Sequence, residues 1–151
     1  MKEATYLIVG GGMTAASAVR GIREVDQDGT IAILSAEGER PYNRPPLSKK
    51  LWTGKKTIDD IWRALPDDVA FHAGRTAVGL DLDRKVVTDD TGEQYHFEKL
   101  LLATGGSPRR LSFGGDNIIY YRDLDSYRRL RRLAAEHDEF AVIGGGFIGS
   151  E

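Results

Sequence analysis

Short apolar runs that stop at glycines set the rhythm of this chain. Thr5-Tyr6-Leu7-Ile8-Val9 carries no polar alternation, and three glycines follow it at 10–12. A strand without a polar face must be covered on both sides, as in a parallel sheet. Met13 to Val25 then reads as a helix, with Ala16, Val19 and Arg23 on successive turns and Asp26-Gln27-Asp28-Gly29 as its stop. Thr30-Ile31-Ala32-Ile33-Leu34 is a second buried strand. A strand–helix–strand unit is complete by residue 35.

The pattern then breaks. Arg40-Pro41-Tyr42-Asn43-Arg44-Pro45-Pro46 cannot be regular structure, because proline removes donors and fixes φ. Short helices are expected around Leu47 to Trp52 and around Asp59 to Ala64. From Val69-Ala70-Phe71-His72 onward the spacing turns to strands. Val78 to Leu82 alternates, Lys85-Val86-Val87-Thr88 follows a tight Asp83-Arg84 turn, and Gln94-Tyr95-His96-Phe97 returns after an Asp89–Gly92 hairpin loop. These last three predict an antiparallel meander. Leu100-Leu101-Leu102-Ala103 is again fully apolar and stops at Thr104-Gly105-Gly106.

Asp123 to His137 has helical spacing, with Leu124, Tyr127, Leu130 and Leu133 or Ala134 on one side. Phe140-Ala141-Val142-Ile143 then repeats the opening theme, an apolar strand running into Gly144-Gly145-Gly146. A strand and glycine turn with no full helix behind them cannot bury their own faces, so the chain reads as the N-terminal part of a longer protein.

Composition narrows the function classes. The 151 residues are 40% hydrophobic and 29% charged with net charge −2, a soluble globular mixture with no pull toward nucleic acid or anionic membrane. No apolar run reaches the ~20 residues of a membrane span, and the start carries no secretory signal, so the expected place is the cytoplasm. Cysteine is absent, which removes any thiol nucleophile or redox pair within this stretch. His72, His96 and His137 share no ligand spacing, so no metal is expected. Trp52 and Trp62 read as packing residues, and the arginines at 128, 129, 131 and 132 as a solvated helix face.

The chemistry lies in the glycines, 18 in all. Gly10-Gly11-Gly12-Met13-Thr14-Ala15 is a G-x-G-x-x-A turn between a strand and a helix. Gly10 permits the tight turn, Gly12 lets backbone approach a pyrophosphate, and Ala15 lets helix pack on strand, while the helix N-terminus aims N–H groups at the phosphates. An acidic ribose ligand belongs at the end of the second strand, where Glu37 is the candidate. Gly144-Gly145-Gly146-Phe147-Ile148-Gly149 is a second such turn, which suggests two dinucleotides held by one protein.

With these motifs the chain resembles the two-dinucleotide flavoprotein reductases of the pyridine nucleotide-disulfide reductase superfamily. Ala103-Thr104-Gly105 resembles their ATG motif. Pro41-Tyr42-Asn43-Arg44-Pro45-Pro46-Leu47-Ser48-Lys49 is similar to a segment of the branch holding apoptosis-inducing factor, putidaredoxin reductase and the ferredoxin reductases of aromatic-ring dioxygenases. The resemblance implies an α/β fold: a Rossmann-like FAD domain, with parallel sheet, helices and antiparallel meander, then the start of a second Rossmann domain for NAD(P)H. It implies a first FAD segment at 1–112, a linker at 113–122 and the beginning of the NAD(P)H domain at 123–151.

By position, the resemblance places FAD at Gly10, Gly12 and Ala15, with Ala103, Thr104 and Gly105. It places Arg44 and Lys49 beside the flavin, Val78 on the adenine side, Arg122 on FAD from the linker, and NADH or NADPH at Gly144, Gly146 and Gly149. In several relatives the ribose-binding acid aligns with Ala36, which has no carboxylate; either Glu37 serves from a shifted strand end, or backbone and water hold the ribose. Lys49 and Glu151 are expected to pair beside the flavin as the catalytic charges. The implied activity is hydride transfer from NAD(P)H to flavin and electron delivery to a ferredoxin-like iron–sulfur protein, without disulfide reduction and with a possible homodimer. The alternatives are an NADH-sensing flavoprotein that acts through partner binding, and an inactive nucleotide-binding fragment.

Overall fold

The computed structural model describes residues 1–150. The chain divides into two compact units: 1–43 with 62–105, and 44–61 with the residues from 106 on.

The first unit is built on one sheet. Strands β1 (Lys2–Val9), β2 (Ile31–Ser35), β3 (Ala70–Ala73), β4 (Ala77–Asp81), β5 (Val86–Asp89) and β6 (Gln94–Leu102) lie in the order β3-β2-β1-β6-β5-β4. β3, β2, β1 and β6 run parallel, and β6, β5 and β4 form the antiparallel meander. Helix α1 (Met13–Val25) connects β1 to β2.

The unbroken apolar runs are explained by two buried faces. Ile8, Ile31 and Ile33 pack with Ala15 and Val19 of α1, whereas Leu7, Val9, Ala32 and Leu34 pack with Val87, Tyr95 and Phe97 from the meander. Each fully buried Leu or Ile side chain stabilises the fold by about 1.5–3 kcal/mol. The far end of α1 is tied down by Arg23, whose guanidinium donates to the carbonyls of Asp26 and Gly29 and pairs with Asp68.

Several elements depart from the sequence pattern. The runs at 94–97 and 100–103 belong to one strand: β6 continues through Glu98-Lys99 because β1 pairs beside it from Lys2↔Tyr95 to Val9↔Leu102. The same ladder extends β1 back to Lys2. The segments at 47–52 and 59–64 contain only 3₁₀ turns, Pro45–Ser48 and Asp59–Ile61. The apolar run 140–143 is not a strand: among the described residues no strand lies beside it, and Phe140, Val142 and Ile143 are exposed. A backbone ladder needs a partner that hydrophobicity alone does not provide.

In the second unit, α2 (Leu124–Glu136) is capped by Asp123, which accepts from the Ser126 N–H at 2.8 Å while Ser126 Oγ accepts from the Asp123 N–H at 3.0 Å. Leu124 and Tyr127 are buried. Trp52 is a packing residue here: it meets Tyr127 edge-on at 5.7 Å, Arg131 lies over its ring at 4.8 Å, and its Nε1 donates to Tyr121 Oη, which donates to Leu47 O. The short helix α3 (Phe147–Ser150) follows the last glycine turn.

The hairpin between β5 and β6 turns on a buried carboxylate. Asp89 Oδ1 accepts from the Thr91 N–H, the Thr91 hydroxyl and the Glu93 N–H, and Oδ2 accepts from Tyr95 Oη at 3.0 Å. Burial pushes this carboxyl up, but the hydrogen bonds from Thr91, Tyr95 and Glu93 outweigh burial and hold it at about 2. Burial and the adjacent Asp89 push the Tyr95 phenol up to about 12. An unfolded aspartate titrates near ~3.9, so Asp89 adds stability above that pH and loses it as the pH falls toward 2. Asp89→Asn therefore lowers the urea midpoint at pH 7, and the gap from the parent narrows between about pH 4 and pH 2. A gap independent of pH would show that the ionised carboxylate is not what the hairpin uses.

Candidate functional site

The first glycine turn sits where the carboxyl ends of β2, β1 and β6 meet. The Gly10 N–H donates to Leu34 O at 2.8 Å, and the Ala103 N–H donates to Val9 O at 2.7 Å, so the turn is clamped between its two neighbouring strands. Gly10 has φ +112°, and a Cβ there would lie 2.1 Å from Ala103 O. A Cβ at Gly11 would lie 2.3 Å from Ser35 Oγ. No side chain fits at either position. Gly12 is the opposite case, with nothing within 4 Å of its Cβ position. The turn is closed toward the protein and open outward at Gly12.

Helix α1 starts directly behind that opening. Gly12 is its N-cap, no side chain caps it, and its first turn carries no acid. The N–H groups of a first turn have no intrahelical partners and form the positive end of the helix dipole. Ala15 is fully buried against Ile8, Ile31 and Ile33, as a small residue pressed between helix and strand must be.

The rim is built from loop residues. Ser35 is buried, and its hydroxyl donates to Glu37 O at 3.0 Å. The Gly74 N–H donates to the same carbonyl. The Glu37 carboxylate is half-buried and accepts from Tyr42 Oη at 2.8 Å, while Ala36 is exposed. Thr104 borders an open groove of about 280 Å³ with Val9, Val78, Gly79, Leu80, Val87 and Leu102. Thus Gly10, Gly12, Ala15, Glu37, Ala103 and Thr104 gather about one turn, and Val78 and Thr104 line one groove. Gly105, at φ +68°, ends this unit.

The remaining candidates lie in the second unit. Arg44 donates from Nη1 to Arg122 O at 3.1 Å, which brings those two residues together. Lys49 is exposed, and its N–H donates to Pro46 O. Glu151 lies outside the described residues, and so does its expected pairing with Lys49. The second glycine turn shares the positive φ of the first at its leading glycine. Gly144 has φ +108°, a Cβ at Gly149 would lie 1.9 Å from Gly144 O, and Gly146 has nothing within 4 Å of its Cβ position.

Residues that the motifs did not single out also matter. Ser35 and Gly11 touch each other across the turn, Tyr42 fixes Glu37, and Arg63 reaches α1. Tyr42 stands inside the quoted proline segment, but its partner is visible only once the chain is folded. Arg63 belongs to no motif. Among the described residues no group of His, Cys, Asp and Glu could hold a metal, and no helix is long and apolar enough to cross a membrane.

The geometry fits a dinucleotide: an uncapped helix N-terminus faces open space, and glycine keeps that space clear. Comparisons with known proteins agree. Residues 4–151 match the pyridine nucleotide-disulphide oxidoreductase family. The chain is 36% identical over 154 residues to rubredoxin-NAD(+) reductase of Pseudomonas putida, covering 96% of this chain and 40% of that protein. It is 32% identical over 174 residues to mitochondrial apoptosis-inducing factor 1 of Dictyostelium discoideum, covering 100% of this chain and 33% of that one. The crystal structure of NADH:rubredoxin oxidoreductase from Clostridium acetobutylicum superposes with a TM-score of 0.84 at 26% identity, over 98% of this chain and 40% of that chain. The chain thus spans two fifths or less of the length of these relatives. The matches imply FAD and NADH as cofactors. By the extent of the family match and by the doubled glycine turn, the chain belongs to the pyridine nucleotide-disulphide oxidoreductase family.

Proposed function

We propose that the protein is a flavin oxidoreductase that takes electrons from NAD(P)H and delivers them to a small iron–sulfur protein of ferredoxin or rubredoxin type, working in the cytoplasm. One observation carries this reading: two glycine turns, at 10 and 144, share a positive φ at the first glycine and an open second glycine. Two of the relatives above are named for rubredoxin, which supports the acceptor class.

FAD and NADH supply the redox chemistry when bound: a hydride leaves the nicotinamide for the flavin, which can release its electrons singly. The chain's own residues bind and orient. The N–H groups of the first turn of α1 hold the diphosphate of FAD, and Gly12 leaves room for it. Glu37, held by Tyr42, is the acid placed to meet a ribose hydroxyl. Val78 and Leu80 offer apolar groove to the adenine. The ATG segment at Ala103, Thr104 and Gly105 borders the same cofactor, and Gly144, Gly146 and Gly149 serve NAD(P)H. The roles of Arg44, Lys49 and Arg122 toward the flavin rest on the resemblance. In them Lys49 supplies positive charge where the reduced cofactor is negative, and Glu151 keeps its ammonium oriented.

Two variants test the reading. Gly12→Leu puts a side chain into the open space at the turn, so the purified protein should lose its flavin absorbance, while circular dichroism stays that of the parent. Retained flavin would remove FAD from this turn. Lys49→Ala should keep the flavin content but slow flavin reduction by NADH in stopped flow, up to about a hundredfold for a lost charge at a developing anion. An unchanged rate would remove Lys49 from the chemistry.

A further inference from the structure

Tyr121 stands just before the Asp123 cap of α2, and its hydroxyl is used twice. It donates to Leu47 O at 2.6 Å and accepts from Trp52 Nε1 at 2.9 Å. Packing asks of a tyrosine only its ring; a half-buried hydroxyl that serves as donor and acceptor at once is a junction. Burial pushes the phenol up, so its proton stays available to Leu47 O well above neutral pH.

The two ends of that junction lie on either side of Lys49. Leu47 precedes it in the 3₁₀ turn Pro45–Ser48, and Trp52 follows it. The Lys49 N–H donates to Pro46 O, and Lys49 O accepts from the N–H groups of Trp52 and Thr53. Lys49 therefore sits on a short backbone loop whose flanks are joined through one phenol oxygen. The next residue does the like for Arg44, since Arg122 O accepts from Arg44 Nη1 at 3.1 Å. The dipeptide Tyr121-Arg122 thus reaches both cations that the resemblance places beside the flavin. Helix α2 grips the same loop from its own side: Tyr127 meets Trp52 edge-on, and Arg131 covers the Trp52 ring.

We propose that Tyr121 is a positioning residue for Lys49: its hydroxyl fixes the loop that carries the lysine and ties that loop to the start of α2. The inference rests on the reading of Lys49 as the cation beside the flavin. It makes the rate of flavin reduction depend on a linker residue that acts through the lysine.

The test uses the intact flavin-loaded protein with Tyr121→Phe, Lys49→Ala and the double variant, each mixed with NADH in stopped flow. Tyr121→Phe keeps the ring and removes the hydroxyl. The expected result is the parent's flavin content, an unchanged half-saturating NADH concentration, and a limiting reduction rate about threefold to tenfold slower, the range of one or two lost hydrogen bonds. In the Lys49→Ala background the same substitution should change the limiting rate by less than about twofold, because the group it positions is gone. The parent's rate in Tyr121→Phe would overturn the proposal. So would an equal slowing in both backgrounds, because Tyr121 would then act independently of the lysine. Loss of flavin or of NADH affinity in Tyr121→Phe would overturn it too, by placing the residue in binding. A Lys49→Ala variant that reduces at the parent's rate would instead overturn the reading of Lys49, and the proposal with it.

Discussion

Everything at the first turn depends on how closely backbone passes backbone. The chain leaving β1 must run between the ends of β2 and β6, and at Gly10 there is no room for even one carbon beyond the main chain. This crowding is what clamps the turn, through Leu34 on one side and Ala103 on the other. Because the turn is clamped, α1 starts at a fixed place with its first N–H groups pointing outward. A site made of backbone donors has no rotamers to order, so its geometry is present before a ligand arrives.

The sheet exists to hold that junction. β1 lies between β2 and β6, and its alternating side chains feed two separate cores, one under α1 and one under the meander. Both cores must form for β1 to stay in register with its neighbours. The meander adds its own anchor in Asp89, whose hydrogen bonds fix the loop that turns β5 into β6. The loop lies far along β6 from Ala103, yet it sets the register of the strand whose end closes the glycine turn.

Much of this was legible in the chain. The runs 5–9 and 30–34 announced buried strands, the spacing of Ala16, Val19 and Arg23 announced α1, and the spacing from Asp123 to His137 announced α2. Those signals are local, and local signals survive folding. The continuity of β6 through Glu98-Lys99 was not legible, because it comes from pairing with β1, a partner remote in sequence. The tie between Glu37 and Tyr42, and the reach of Arg63 to Met13, were hidden for the same reason: neither follows a periodicity or a motif.

The comparison of the two glycine turns separates what a motif specifies from what a fold adds. At residues 144–149 part of the geometry of residues 10–15 recurs, a positive φ at the first glycine and an open second glycine, but Gly144 and Gly145, unlike Gly10 and Gly11, have nothing within 4 Å of their Cβ positions. The supporting strand is not reproduced, for 140–143 has no ladder among the described residues and its apolar side chains stand exposed. Glycine spacing is therefore sufficient for that part of the turn, since it follows from φ and from atoms within six residues. Clamping the turn is a different matter, because it needs carbonyls and N–H groups from neighbouring strands. The first turn has both contributions, with Leu34 and Ala103 supplying the clamp that the second turn lacks among the described residues.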